Sequence, residues 1–596
     1  LLDMSGLTFR HVLPLATIVL VVAVLSVGHG VPLSPRGEEP KLLESYDYII
    51  VGGGSAGSVL ANRLSANPNR TVLLLEAGGP ETGLQQIPFF APFLANEENT
   101  WGYSTVPQKD ACLSLPEQRA GMTQGKIIGG SSVLNSMSFV RGNRKDYDTW
   151  ESQYGAKGWS YANVLPFFKD IETYYIGDPG RYHGTAGEIP INYANSHTPL
   201  SDAFLKACQQ SGYLYVEYNG QRQSGYSRIE ANVANGTRRS ANRCFLLPVQ
   251  DKRTNLHISL RSLATKITFD GKRASGVNFV KNNQLRYAAA KREVILSAGA
   301  INSPKLLLLS GVGPKEDLEH LKIPVVADLP VGRGLQDHVV FTGLVVTTPR
   351  DEVGLLKFAT LLQYTYNRTG VLAIPGGTEV ILFTSSQSGA DADDFPDIQA
   401  VLTDLFPGYT PPKPPQVSEE IYEKYYKPME GKNGFMATLI MIQPKSRGSV
   451  SLNATKPSGK PLIDPRFLSQ KEDVKRTVKG IKRIKKLLEA DAMKEIGAEV
   501  WGVPYPPCAS DGPIWSPSYL DCFVRQTAFP AMHVCCTCAM GNHTTAVVDE
   551  RLRVRGVTGL RVADASVMPA VTTGNTNAPV LMIGDKAAAM IIEDDK

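Results

Sequence analysis

A glycine-rich turn between two apolar runs is the feature that most restricts the fold of this 596-residue chain. Residues 46–51 (YDYIIV) form a β-branched run that ends at Gly52, and Gly52, Gly54 and Gly57 follow in a G-x-G-x-x-G pattern. A helical pattern comes next, and a second apolar run closes at Glu76. This order of strand, glycine turn, helix and strand predicts a βαβ unit that binds a dinucleotide.

The residue types in this turn fit a pyrophosphate ligand. Gly52 permits a tight turn, Gly54 lets the backbone approach the phosphates, and Gly57 lets the helix pack closely on the strand. The helix N-terminus then faces the phosphate charge. Glu76 can accept hydrogen bonds from ribose hydroxyl groups and disfavours a 2′-phosphate, which makes NADP a poor candidate. The predicted dinucleotide-binding residues of this unit are Gly52, Gly54, Ser55, Ala56, Gly57 and Glu76.

The same glycines allow a second interpretation, that of a hydrolase. Residues 53–57 (GGSAG) satisfy the G-x-S-x-G nucleophile elbow, which also lies between a strand and a helix. Two features favour the dinucleotide: the turn follows the first strand of the domain, and its partner strand ends in Glu76 and two glycines. A nucleophile elbow requires neither feature.

Chain length and net charge indicate the number of domains and the kind of partner to expect. A chain of 596 residues with 42% hydrophobic composition exceeds one compact core, so we expect two domains. The net charge of +5 is spread along the chain and gives no reason to expect a nucleic-acid partner. The basic cluster at residues 479–486 belongs to a helical pattern with Ile481, Ile484, Leu487 and Leu488 on one face, so its lysines are predicted to face solvent.

The N-terminal region predicts export. Arg10 and His11 precede an apolar run at residues 12–27, which is short for a spanning helix and is followed by small residues. We therefore predict a signal peptide at residues 4–30 and a linker at 31–44, hence a secreted protein. Membrane attachment is expected only if the signal stays uncleaved. Glycosylation sequons, which fit export, begin at Asn69, Asn235, Asn367, Asn453 and Asn542.

Eight cysteines permit disulfides in an oxidising compartment. Their spacing contains no two C-x-x-C pairs of the kind that bind zinc, so no metal site is predicted. Cys508 with Cys522 is the preferred disulfide, although spacing alone fixes no connectivity.

Three further segments carry a family resemblance. Residues 125–143 (GKIIGGSSVLNSMSFVRGN), 299–313 (GAINSPKLLLLSGVG) and 547–591 resemble, in order, motifs of the glucose–methanol–choline family of FAD oxidoreductases. The chain is most similar to the arthropod glucose-dehydrogenase-like members. Taken alone, the first segment also fits a tight turn before a helix, and the second fits a strand followed by a helix that begins near Pro304.

The resemblance implies FAD as the cofactor and adds contacts to those of the glycine turn. Backbone amides of the loop at residues 129–132 can gather around phosphate or the flavin edge. Ala264 is expected against the adenine, and Asp564 near the ribityl chain or pyrophosphate. The additional residues predicted to bind the cofactor are Gly129, Ser132, Asn135, Ala264, Asp564, Ala565 and Asn575.

The resemblance also implies a catalytic pair, His533 and Asn577. Hydride removal from an alcohol carbon to flavin N5 needs a base for the hydroxyl proton, and a neutral imidazole can serve. Asn577 cannot act as a base near neutral pH, so it is expected to orient the substrate oxygen. Pro579 suits the first turn of the helix that follows, which the asparagines are expected to cap.

The implied reaction is oxidation of the CH–OH group of a small-molecule alcohol, with oxygen or a quinone as electron acceptor. Two departures from the family pattern leave an alternative open. Cys536 stands where the family usually has glycine after the histidine, next to Cys535, and residues 120–124 lack the cysteine that would pair with Cys112. An exported flavoprotein with impaired catalysis that binds a ligand or partner is the alternative function.

The predicted fold class is α/β. A discontinuous, Rossmann-like FAD-binding domain comprises residues 44–165, 232–349 and 542–594. An α+β substrate domain with an antiparallel sheet comprises residues 350–541 and part of 166–231. Its strand candidates are residues 435–442 and 448–452, and the proline-rich segment 408–415 is predicted to be a loop over the entrance.

Overall fold

The computed structural model describes residues 41–349, 358–387, 393–404 and 417–595. The predicted signal peptide, most of the linker and the proline-rich segment 408–415 lie outside these residues. Among the helices of the described residues, none combines the length and apolar character needed to cross a bilayer.

Two large sheets form the framework. Their strands are, in chain order, β1 (Ser45–Val51), β2 (Val72–Leu75), β3 (Gly225–Arg228), β4 (Leu256–Ser259), β5 (Ser262–Asp270), β6 (Arg273–Lys281), β7 (Gln284–Leu296), β8 (Val339–Phe341), β9 (Val345–Thr348), β10 (Thr378–Thr384), β11 (Ile398–Thr403), β12 (Asn433–Met441), β13 (Glu499–Val500), β14 (Phe529–Pro530) and β15 (Leu560–Val562). Shorter ladders are formed by Tyr103–Ser104, Gly121–Met122, Glu172–Tyr174, Ile189–Ile191, Val233–Ala234, Thr237–Arg238, Val312–Gly313, Ala327–Asp328, Arg333–Leu335, Gly448–Ser451 and Leu462–Asp464.

The helices pack around these sheets. They are α1 (Ser55–Leu64), α2 (Arg144–Ser152), α3 (Tyr161–Asp170), α4 (Pro199–Gln210), α5 (Gly299–Leu309), α6 (Lys315–His320), α7 (Phe358–Asn367), α8 (Glu419–Ile421), α9 (Lys471–Leu488), α10 (Asp491–Glu495), α11 (Pro517–Thr527) and α12 (Asn577–Asp594).

The first sheet has the order β4-β2-β1-β7-β6-β5, with β15 also pairing with β7. The pairs among β4, β2, β1, β7 and β15 are parallel, whereas β5, β6 and β7 form an antiparallel meander. The four residues of β2 (VLLL) are all buried, as expected for a strand covered on both faces. This sheet confirms the predicted βαβ unit and the Rossmann-like layer.

Helix α1 packs on the first sheet, and α12 packs against α1. They approach so closely that a Cβ atom on Gly584 of α12 would lie 2.8 Å from the carbonyl oxygen of Ala56 in α1. The C-terminal segment therefore packs against the first βαβ unit, although more than 500 residues separate them. This contact explains why the FAD-binding fold uses both ends of the chain.

The second sheet is antiparallel and has the order β13-β9-β12-β11-β10-β3, with β8 joining β12 to β14. One face packs against α9, whose Ile481 and Ile484 are fully buried with Ile398 and Leu439 of the sheet. The exposed side of the same helix carries Lys482. The amphipathic helix predicted from the lysine-rich run is therefore present.

The structure places one domain boundary earlier than the sequence analysis did. Strands β8 and β9 fall in the segment 232–349 that was assigned to the FAD-binding domain, yet both belong to the second sheet. Val340 of β8 lies opposite Ile440, and Val345 of β9 lies opposite Met436. A short apolar run predicts a strand but not its sheet, because the partner strand lies far along the chain.

Two local predictions also differ from the structure. Helix α5 begins at Gly299 rather than near Pro304, which lies inside the helix. The predicted strand at 448–452 exists as Gly448–Ser451, but it pairs with Arg333–Leu335 and Leu462–Asp464 in a small sheet of its own. The predicted strand at 435–442 is β12 of the second sheet.

Cysteine pairing follows the sequence analysis where the structure describes it. Cys508 and Cys522 form a disulfide that joins the turn before α11 to that helix. Cys112 is a free, buried thiol, in agreement with the loss of its usual partner.

Candidate active site

A cavity of about 730 Å³ runs between the two sheets. Glu76, Ala264, His533 and Asn575 all line it. The glycine turn after β1 contributes Gly54 to the wall. One cavity therefore connects the dinucleotide fingerprint to the predicted catalytic histidine.

The three glycines of the G-x-G-x-x-G turn are each required for a different structural reason. Gly52 has φ of +102°, and a Cβ atom there would lie 2.4 Å from the carbonyl oxygen of Ser297. A Cβ atom on Gly57 would lie 1.9 Å from the carbonyl oxygen of Gly52. A Cβ atom on Gly54 would meet only Gly130, with its Cα at 3.9 Å. Gly52 and Gly57 thus permit close packing, whereas Gly54 keeps space open on the cavity side.

Glu76 is held in place by the turn that it follows. Its Oε2 accepts a hydrogen bond from the Gly53 amide at 2.8 Å, and its Oε1 accepts one from the Gly78 amide at 2.7 Å. Burial raises the pKa of Glu76 to about 7, although these amides oppose the shift. The carboxyl group is therefore fixed at the cavity wall beside the end of β2.

The loop at residues 129–132 differs in detail from the prediction. Gly130 and Ser131 line the cavity. The side chain of Ser132 turns away and donates to the carbonyl oxygen of Gly129 at 2.6 Å while it accepts from the Ala241 amide. Gly129 has φ of +92° and donates its amide to the Gly53 carbonyl at 2.7 Å. Gly129 and Ser132 shape the loop, and their neighbours face the ligand space because the loop turns between them.

The other predicted cofactor contacts lie along the same cavity. Ala264, Asp564, Ala565 and Asn135 are all in its lining. The Asp564 carboxylate is already engaged by the protein: it accepts from the amides of Gly299 and Ser566 at 2.9 and 2.8 Å and from the Ser303 hydroxyl. The backbone beside Asp564 is thus the part available to a ligand's polar groups.

His533 follows β14, and Asp337 and His338, which directly precede β8, hold it in place. The backbone amide of His533 donates to Asp337 Oδ1 at 2.7 Å, and its Nδ1 lies 3.0 Å from His338 Nδ1. Both Asp337 and His338 are buried. The His533 ring keeps partial contact with the cavity, but the surrounding protein separates it from bulk water and lowers its pKa to about 4.

The hydrogen bonds of His533 define which nitrogen can accept a proton. Asn575 Nδ2 lies 3.1 Å from His533 Nε2, and an amide NH₂ group can only donate. His533 Nε2 is therefore the acceptor, so its single proton sits on Nδ1 and is donated to His338 Nδ1. The unprotonated Nε2 lies on the Asn575 side, at the cavity wall.

Both Asn577, the second member of the predicted catalytic pair, and Asn575 line the cavity, and their side chains have different partners. Asn575, not Asn577, contacts His533. Asn577 Oδ1 instead accepts a hydrogen bond from the Ser55 hydroxyl at 2.7 Å, at the glycine turn. The two asparagines point to different parts of the cavity because Asn575 lies in the loop before α12, whereas Asn577 is its first residue. Thr576 is the capping position, and its side chain makes no capping hydrogen bond.

One face of the second sheet forms the wall beside His533. Val340 of β8, Val401 of β11 and Ile440 of β12 line the cavity there, together with Thr403 and Thr438, whose hydroxyls lie 3.2 Å apart. The lining positions alternate along each strand, as a period of two requires. Gln399, on the same face, donates to Asn575 Oδ1 at 3.1 Å.

The wall formed by this sheet is uncharged. Its lining side chains come from valine, isoleucine, threonine, glutamine, phenylalanine and proline, and within the described residues no carboxylate or cation of β8, β10, β11, β12 or β14 lines the cavity. Cys535 and Cys536 also lie outside the lining, although their neighbours Val534 and His533 belong to it. The unusual cysteines therefore do not crowd the ligand space.

The sequence matches family models that identify the class of protein to which this chain belongs. Models of the GMC oxidoreductase family match residues 46–340 with the N-terminal domain and residues 444–584 with the C-terminal domain. The chain belongs to the GMC oxidoreductase family. The resemblance seen in the sequence is thereby confirmed, as are the predicted fold class and the kind of enzyme.

Individual relatives cover nearly the whole chain. A glucose dehydrogenase (FAD, quinone) of Drosophila pseudoobscura pseudoobscura is 38% identical over 92% of this chain and 86% of the relative. An alcohol dehydrogenase (acceptor) of Pseudomonas putida is 36% identical over 92% and 96% of the two chains. The crystal structure of pyridoxine 4-oxidase from Mesorbium loti is 28% identical, with a TM-score of 0.79 over 92% of this chain and 99% of that one.

Asp337 and His338 are the site residues that the sequence analysis missed. They stand as a polar pair directly before the apolar strand β8, and burial of both at the end of a strand is unusual without a function. The position of two polar residues directly before an apolar strand was the sequence signal that could have identified them as site residues. Their pairing with His533 could not be read from the sequence, because 195 residues separate the two histidines.

Proposed function

We propose that this protein is an FAD-dependent oxidoreductase that removes a hydride from the CH–OH carbon of an uncharged alcohol. The observation that carries the proposal is the single cavity that joins the dinucleotide fingerprint to the Nε2 atom of His533. The family assignment and the relatives that are named as FAD-dependent dehydrogenases support it.

The described residues fit FAD. The N-terminus of α1 has no acidic residue in its first turn, so its free amides favour a pyrophosphate. Gly54 leaves space for close approach, and Glu76 stands at the end of β2 where ribose hydroxyls bind in such folds. When bound, FAD supplies a hydride acceptor at flavin N5.

His533 is proposed as the base. Its neutral Nε2 accepts the hydroxyl proton of the alcohol, and the Nδ1–H group is held by His338, which keeps the lone pair of Nε2 on the cavity side. Asn575 Nδ2 donates to the same nitrogen in the ligand-free site. We propose that the alcohol hydroxyl replaces it as the donor to Nε2 and that the released Asn575 NH₂ group donates to the alcohol oxygen. Asn577, which bonds Ser55, is proposed to position the glycine turn.

The hydrolase interpretation has no support in the site. The hydroxyl of Ser55 donates to an amide oxygen, that of Asn577, rather than to a histidine. An activated serine needs a base within hydrogen-bond reach. The alternative of an impaired flavoprotein is not favoured by the geometry either, since neither Cys535 nor Cys536 lines the cavity.

We also propose that the protein is exported and glycosylated. Of the five sequon asparagines, Asn69, Asn235, Asn367 and Asn542 are exposed and Asn453 is half-buried. Surface exposure is what a glycosylation acceptor needs. Edman sequencing of secreted material tests the export proposal: the mature chain should begin within residues 27–33, whereas a membrane-bound product that retains Met4 would overturn it.

Anaerobic stopped-flow mixing of the holoenzyme with a panel of uncharged alcohols tests the catalytic proposal. At least one alcohol should bleach the flavin, and His533→Ala should slow that reduction by about 10²–10⁴-fold. Asn575→Ala should slow it less, whereas Asn577→Ala should mainly weaken FAD retention. FAD content is measured in each variant. Wild-type rates in His533→Ala would show that the base lies elsewhere, and no bleaching by any alcohol would favour the impaired flavoprotein.

A further inference from the structure

Cys535 and Cys536, which follow the catalytic histidine, are in unusually close contact. Their sulfur atoms lie 2.7 Å apart, which is between a van der Waals contact and the ~2.05 Å of a disulfide bond. Both side chains are buried, at 0% and 1% exposure. Cys536 Sγ also lies 3.7 Å from Gln336 Oε1, to which a thiol could donate only a weak hydrogen bond. The two sulfurs are therefore each other's principal partners.

The backbone holds the two side chains together. Successive residues of an extended chain point to opposite sides, but Cys536 has φ of +72°, in the left-handed region that a side chain rarely adopts. The Cys535 amide donates to the Gln336 carbonyl at 2.9 Å, and the Cys536 amide donates to the Ala565 carbonyl at 3.3 Å. These anchors lie on two different segments, so the turned conformation is imposed by the fold and brings both sulfurs to one side.

We propose that Cys535 and Cys536 form a vicinal disulfide in the mature protein. The two thiols lose two protons and two electrons to a small-molecule or protein disulfide, whose S–S bond breaks to give two thiols as the new bond forms. The proposal concerns residues outside the cavity and does not depend on the alcohol or the acceptor.

The bond is expected to form before the segment is buried. In the folded chain, burial raises the pKa of the Cys535 thiol well above its ordinary value, so the thiolate that exchange requires is scarce. Once buried, the bridge is also protected from reducing thiols. Adjacent Cα atoms are only ~3.8 Å apart across a trans peptide, shorter than the ~4.4–6.8 Å of ordinary disulfides, so the bridge should be reduced more easily than Cys508–Cys522 after unfolding.

Differential alkylation of the full-length protein tests this assignment. Protein purified through a secretory route is denatured without reductant, treated with N-ethylmaleimide, digested and analysed by mass spectrometry. Cys112, Cys208, Cys244 and Cys538 should be alkylated. Cys535 and Cys536 should be unmodified, in a peptide lighter by two hydrogens than its dithiol form, and should take up two labels after reduction. The proposal is overturned if both are alkylated while Cys508–Cys522 is still bridged, or if either is joined to Cys538.

Two variants supply matched controls. Cys536→Gly suits the left-handed φ and leaves Cys535 without a neighbour, so Cys535 should become alkylated without reduction. Cys538→Ser removes the other nearby thiol and should leave the Cys535–Cys536 bridge intact. A Cys535 that stays unlabelled in the double variant Cys536→Gly/Cys538→Ser has another partner and contradicts the assignment.

Discussion

At the scale of single residues, the proposed base, His533, is held by two groups that do not line the cavity. Asp337 binds the backbone of His533, and His338 binds its Nδ1 atom. Burial and the neighbouring His533 keep the pKa of His338 well below its usual range. Because His338 stays neutral, its Nδ1 atom can accept a hydrogen bond from the Nδ1–H group of His533. This hydrogen bond persists after His533 takes up a second proton at Nε2.

The lowered pKa of His533 predicts the pH dependence of flavin reduction. A pKa of about 4 means that the imidazole is neutral, and so able to act as a base, throughout the neutral range. The rate constant for reduction should therefore be constant from about pH 6 to 8 and fall below about pH 5 as protonation removes the base. Anaerobic stopped-flow measurements across pH check this, and His533→Ala should lack the fall. A wild-type rate that climbs through an apparent pKa near 6.5 would contradict it.

The residue scale is also where prediction from sequence was least complete. The alternation N-T-N places two asparagines before one helix, and nothing in the sequence says which of them faces His533. The answer depends on where α12 begins, since its first residue is Asn577. Likewise, Ser131 and Ser132 are chemically identical, and only the turn at Gly129 directs one into the cavity and the other into the loop.

At the scale of elements, different glycines of the turn after β1 serve folding and cofactor binding. Gly57 is required for the packing of α1 because a Cβ atom would lie 1.9 Å from the Gly52 carbonyl oxygen, whereas Gly54 has open space before it. The strands and the helix of this unit were predicted from the sequence because its contacts are local. The helix start at Gly299 was missed because Pro304, a residue suited to a first turn, lies inside α5.

The two glycines should respond differently to the same substitution. Gly54→Ala should leave the stability of the FAD-free protein close to that of wild type and weaken FAD binding at least about tenfold, because the methyl group occupies space that the ligand needs. Gly57→Ala should prevent correct folding. Thermal denaturation and flavin content after purification measure the two effects. Gly83→Ala, at an exposed site with no neighbour within 4 Å, is the control; full flavin in Gly54→Ala would contradict the assignment.

At the scale of the whole molecule, several buried carboxyl groups hold protons more tightly than they would in the unfolded chain. Burial raises the pKa of Glu76 and Asp146 to about 7 and that of Asp337 and Glu230 to about 8. All four lie in the protein interior. Between the ordinary carboxyl pKa and these values, the folded state binds more protons than the unfolded state.

This difference predicts that stability decreases as pH rises through 7 and 8. The stabilisation is complete below the ordinary carboxyl pKa and is lost as each buried group ionises, with a slope of at most about 1.4 kcal/mol per pH unit for each group. Urea denaturation midpoints of the holoenzyme between pH 6.5 and 8.5 should therefore decline. Asp337→Asn, which keeps an oxygen for the His533 amide, should make the decline shallower. A midpoint that increases over this range would refute the prediction.

Side chains along the strands of the second sheet alternate between the hydrophobic core and the cavity, so the residues that line the cavity can change without changing the core. Along β11 and β12, one set of side chains packs against α9 and the other set, Val401, Thr403, Thr438 and Ile440, lines the cavity. Because neighbouring positions face opposite sides, substitutions in the second set leave the first set in place. Gene duplicates of such an enzyme can therefore diverge in the alcohols they accept by a few exchanges on one sheet face, while the hydrophobic core that folds them is inherited unaltered.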